Sequence, residues 1–117
     1  MMRIFGFPLS AVVLVVALVL RTGFASAQGP SWSALVACAG QEHNGGHHDR
    51  SLDCALRAGA IHTSPSLRWF IAREHQELGH ALEALDNAEQ CAQEALRPGV
   101  QDGQRIAAEC GAIANAE

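Results

Sequence analysis

The sequence predicts an all-α fold, and three observations carry that expectation. Apolar side chains recur at the spacing of one helical face in several separate stretches. Helix start signals stand before those stretches: Ser31, Asp49, Ser64 with Pro65 behind it, and Asp102. No segment after residue 27 shows the strict apolar–polar alternation of a half-buried strand.

Taken in order, residues 1–27 read as a processing signal. Arg3 supplies a positive start, residues 9–20 form an apolar run, and Ala25-Ser26-Ala27 has the small-x-small form of a cleavage site. Gly6, Pro8 and Ser10 interrupt the run, which falls short of the roughly 20 residues a membrane span needs. Cleavage is expected before Gln28, with no cysteine after the cut to carry a lipid and no membrane association afterwards. Residues 28–117 then suffice for one small domain.

Its first expected helix covers residues 32–42, with Leu35, Val36, Cys38 and Ala39 on its apolar face and Trp32 as a packing aromatic. Asn44-Gly45-Gly46 breaks the chain, and a second helix over 49–61 shows Leu52, Ala55, Leu56 and Ile61. The third begins after Ser64 and carries Leu67, Phe70, Ile71, Leu78, Ala81, Leu82 and Leu85. Asp86 and Asn87 interrupt that pattern, and Asn87 with Gln90 reads as the capping box of a fourth helix bearing Ala88, Cys91, Ala92, Ala95 and Leu96. So short a break makes the two antiparallel. Pro98-Gly99 ends the fourth, and a fifth after Asp102 presents Ile106, Ala107, Cys110, Ile113 and Ala114 as a closing helix.

Charge narrows the partners. All twelve acidic residues follow position 27, against six of the eight arginines and no lysine. An acidic surface without a basic cluster argues against nucleic acid and anionic membranes. Four cysteines follow the signal, Cys38, Cys54, Cys91 and Cys110, and an even count in a small exported domain points to disulfides, for which three connectivities exist.

Leu78-Gly79, followed twelve positions after the glycine by the small Cys91, resembles the tetratricopeptide-repeat pattern. On that reading Gly79 lies inside a helix and lets the second helix approach, with Cys91 filling the gap. Leu82 and Ala95 stand where the repeat carries aromatics, His75 stands in the place of a large apolar residue, and Pro98 falls where the second helix normally continues. The segment from Gly46-His47-His48-Asp49 to Arg57-Ala58 is similar to the second helix of an earlier, weaker copy. The resemblance implies antiparallel hairpins in a short array with a closing C-terminal helix. It favours Cys38–Cys54 within the first hairpin and Cys91–Cys110 between the last two helices. It also implies a groove lined by first-helix side chains, with Arg68, Arg73 and His80 as groove candidates.

Candidate chemistry is sparse. His43, His47 and His48 invite a transition-metal reading, although adjacent histidines rarely point the same way and no carboxylate or cysteine stands at a convincing ligand spacing. His75 and His80 are five apart, about 140° around a helix of roughly 3.6 residues per turn, so they miss the zinc-protease geometry. Glu74/Glu77 and Glu89/Glu94 read as solvated helix faces, not as acid–base pairs. No nucleophile elbow or phosphate-binding glycine loop is present. The expectation is an exported, non-catalytic helical-repeat module without a cofactor. It would bind another protein, or itself, in the periplasm or cell envelope of a bacterium, or extracellularly. The alternative is a metal-handling domain built on the three histidines.

Overall fold

The computed structural model describes residues 29–117, so the expected signal and its cleavage site lie outside the described residues. Five helices follow one another, with no strand among the described residues: α1 Trp32–Asn44, α2 His48–Ile61, α3 Pro65–Glu77, α4 Ala81–Ala95 and α5 Gly103–Ala116. The closest helix pairs are α1 with α2, α3 with α4, and α4 with α5. α2 also lies against α3, and α5 reaches back to α3. The fold is all-α, as expected, with α5 closing the hairpin of α3 and α4.

Two of the start signals act as caps. Ala34 donates its backbone N–H to Ser31 Oγ (3.1 Å), and Leu67 donates to Ser64 Oγ (3.2 Å) ahead of α3, where Pro65 occupies the first turn. Asp49 and Asp102 do not cap. α2 starts a residue earlier with His47 in the cap position, and Asp102 takes a left-handed φ of 55° and meets Arg105 at 3.7 Å without making a capping hydrogen bond.

The third and fourth helices divide elsewhere than expected. α3 ends at Glu77, and α4 runs unbroken through Asp86 and Asn87. Asn87 Nδ2 donates to Glu83 O (2.9 Å) and Gln90 Nε2 to Asp86 Oδ2 (2.8 Å), bonds of a continuing helix and not of a capping box. Asp86 and Asn87 stand off the buried stripe of Ala84, Ala88 and Cys91, so their polarity marks an outer face. Gly79 is not a helix-packing glycine: it sits in the turn with φ 75°, and a Cβ there would meet nothing within 4 Å. Its freedom from a side chain serves the backbone conformation.

That turn repeats the one between α1 and α2. In the first, His47 N–H donates to Glu42 O (2.8 Å) and Gly46 N–H to His43 O (3.0 Å). In the second, His80 N–H donates to His75 O (2.8 Å) and Gly79 N–H to Gln76 O (3.1 Å), and Gly46 has the matching φ of 77°. Both are helix C-caps with a left-handed glycine. Counted from His47 and His80, the fully buried positions coincide: Ser51, Ala55 and Ala58 in α2, and Ala84, Ala88 and Cys91 in α4.

The core is built largely from alanine, which permits close helix approach but buries little area per residue. One cluster joins Leu35, Ala39, Leu52, Ala55, Ala58, Leu67 and Ile71 across α1, α2 and α3. A second gathers Cys91, Ala95, Ile106 and Cys110, and Trp69 connects it to a third of Ala72, Ala88 and Ile113. Leu82, counted in the apolar face from sequence, is 79% exposed. Two disulfides supplement this thin core, Cys38–Cys54 and Cys91–Cys110, each with Cα atoms 6.0 Å apart. They close loops of sequence separation 16 and 19, which contribute about 3 kcal/mol each in the chain-entropy model. Cys38–Cys54 ties α1 to α2 and Cys91–Cys110 ties α4 to α5, so neither bond touches α3.

The second turn also carries a titratable pair. His75 is buried on α3, and its Nδ1 lies 3.1 Å from Nδ1 of His80. Burial and the His80 imidazole hold the His75 pKa below its ordinary 6.5, with Glu83 offsetting them in part. The native state therefore favours neutral His75. Its contribution is fully present above about pH 6.5 and is lost as pH falls through the depressed native value. We expect the stability gap between the wild type and His75→Gln to be constant above pH 7. Below pH 6.5 it should shift against the wild type, measured by urea unfolding at stepped pH. Parallel profiles for the two proteins would show that His75 titrates alike in both states.

Candidate functional site

Two places on the molecule gather chemistry, and α3 contributes to both. On one side α1, α3 and α5 leave an open groove of about 530 Å³. Trp32 and Val36 come from α1, Trp69 and Phe70 from α3, and Ile106 with the rim residue Glu109 from α5. Both tryptophans of the chain line it. Trp32 Nε1 donates to the carbonyl of His62 (2.9 Å), which fixes the indole and leaves its ring facing the groove. At the rim Arg105 pairs with Glu109 (3.0 Å), an exposed contact within α5.

The three groove candidates lie elsewhere. Arg68 turns toward α4, where its Nε donates to Glu94 Oε2 (2.9 Å). Arg73 lies with its guanidinium 5.6 Å from the Trp69 ring centroid and does not itself line the groove. His80 sits in the α3–α4 turn against His75, with ring centroids 5.3 Å apart. Because α3 ends at Glu77, the two histidines are not spread around one helix but brought together by the turn.

The second place centres on Glu74. Its carboxylate is fully buried, which corrects the solvated-face reading of this residue. In α3 it follows Leu67 and Ile71 on the stripe that packs against α2, and that stripe decides its burial. A carboxylate removed from water is costly unless it is hydrogen-bonded and paired. Two imidazoles supply this: His43 Nδ1, from the end of α1, contacts Oε1, and His48 Nδ1, from the start of α2, lies 2.7 Å from Oε2. Each Nδ1–H donates and each carboxylate oxygen accepts. The two rings meet edge to face at 5.5 Å, and His43 also packs on Phe70 at 5.7 Å.

Of the sequence's three-histidine cluster, the structure therefore brings together His43 and His48 and leaves His47 out. His47 turns away to Glu42, with Nδ1 3.0 Å from Oε2 at the surface. The carboxylate that the local spacing lacked comes from α3, distant in sequence. Its signal was an acidic residue in register with Leu67 and Ile71. Two imidazoles and a carboxylate, one ligand atom from each lying within 4.8 Å of the others, form a donor set suited to a transition metal.

The buried Glu74 contacts and the exposed His47–Glu42 contact should differ sharply in weight. Removing the buried acceptor in Glu74→Ala should lower unfolding stability by roughly 2 kcal/mol, the order of a hydrogen bond to a charged group, because the imidazoles left behind are partly exposed to water. His47→Ala, which loses only the exposed contact to Glu42, should stay within about 0.5 kcal/mol of the wild type. Denaturant unfolding of the two variants checks this, and equal effects would contradict it. Comparison of the chain with family models, curated proteins and solved structures returns no match, for a repeat family or any other, so its role has to be read from these side chains.

Proposed function

We propose that the chain is an exported, non-catalytic interaction module of the periplasm or cell envelope. Its groove between α1, α3 and α5 would receive a segment of a partner protein that presents a large apolar side chain. The observation that carries this reading is the groove itself: a concavity of about 530 Å³ walled by Trp32, Val36, Trp69 and Phe70 on a domain with little other aromatic surface. Tryptophan is among the residues that dominate binding at protein interfaces, and apolar concavities with a polar edge are where partners seat their anchors. Arg105 and Glu109 supply that edge. Export is supported by the paired cysteines, since disulfides persist in oxidising compartments, and by the signal-like residues 1–27.

A photo-cross-linking amino acid at Val36 tests the groove in the producing cell. We expect a discrete protein adduct there and none from the same group placed at Leu82. The captured segment, made as a peptide, should shift the emission of Trp32 and Trp69. Val36→Asp should weaken its binding roughly tenfold or more by placing a charge in an apolar contact. Binding that ignores Val36→Asp, or adducts that form equally from Leu82, would show that the groove is not where the partner sits.

A further inference from the structure

We propose that His43, His48 and Glu74 form a binding site for a divalent cation of the zinc class, made of residues that do not themselves line the groove. The three ligands come from three helices. α1 and α2 are locked to each other by Cys38–Cys54, and α3 lies against α2. The donor set is therefore brought together by tertiary structure and does not depend on a mobile histidine loop. One ligand atom of each residue lies within 4.8 Å of the other two. Two imidazole nitrogens and one carboxylate suit zinc and its borderline neighbours, and they do not suit calcium or magnesium, which take all-oxygen shells.

Burial is graded across the site in the way a metal needs. The Glu74 side chain is fully buried and fixed, whereas the His43 and His48 side chains are 42% and 26% exposed. An ion can thus enter from the solvent side, and a coordination position remains there for water. With the ion about 2.0–2.2 Å from each ligand atom in tetrahedral geometry, each Nδ1 and the ligating carboxylate oxygen must move to stand roughly 3.4 Å apart. Both imidazoles have the exposure to make that small movement without disturbing the carboxylate. Each Nδ1 gives up its proton, either to solvent from an imidazolium or by exchange to Nε2 in a neutral ring. His47 is excluded, being turned to Glu42.

The test uses the disulfide-intact chain, stripped with a chelator and titrated calorimetrically with zinc chloride. We expect one equivalent bound with a dissociation constant in the micromolar range or below. His43→Ala and His48→Ala should each weaken binding at least tenfold, and His47→Ala should leave it unchanged. Histidine NMR on the wild type needs no variant: zinc should move the ring signals of His43 and His48 and spare those of His62 and His80. The absence of binding would overturn the site. So would binding that survives loss of both His43 and His48, or that disappears with His47→Ala.

Discussion

The buried carboxylate of Glu74 is the constraint on which the arrangement of the helices depends. The disulfides secure α1 to α2 and α4 to α5, and neither reaches α3. α3 is nevertheless the element that touches most of the others, flooring the groove and packing on α2, α4 and α5. Besides the His75–His80 contact at its own end and an exposed bond from Gln76 to Glu117 past α5, two polar ties lie closer to the core. Arg68 holds it to Glu94 of α4, in a partly exposed pair, and Glu74 holds it to His43 and His48 on the stapled first hairpin. A small alanine-rich core supplies limited burial, so a charge-assisted contact placed inside it carries weight that a surface pair would not.

The same contact links the two functional places. His43 receives the carboxylate on one side and packs on Phe70 at 5.7 Å, and Phe70 is part of the groove wall. Whatever sets the orientation of His43 therefore bears on the surface offered to a partner. The doubled turn reinforces this geometry. A left-handed glycine followed by histidine ends α1 at Gly46-His47 and α3 at Gly79-His80, so each hairpin places an imidazole at the start of its second helix.

Much of the fold was legible in the sequence because it is written locally. Ser31 and Ser64 cap where their position before an apolar run says they should, and the observed cysteine pairs are those favoured by sequential hairpins. The turn at Gly79 was misread for a physical reason: Leu78, Ala81, Leu82 and Leu85 continue a helical period across it, although Leu82 is exposed. Periodicity alone does not separate one long helix from two helices joined by a three-residue turn. The recurrence of Gly-His at both turns was the available signal. Glu74 was illegible for a different reason, since its partners lie some 26 and 31 positions away. The acidic residue in the Leu67–Ile71 register indicated that a partner was needed, but not which one.

Native-state hydrogen exchange on the wild type and Glu74→Ala tests most directly whether Glu74 tethers α3. The variant is expected to lose amide protection mainly in α3, whereas α1 and α2, joined by Cys38–Cys54, and α4 and α5, joined by Cys91–Cys110, retain most of theirs. An equal loss across all five helices would contradict this expectation. The carboxylate would then be one contribution to a single cooperative core, and α3 would need no tether of its own.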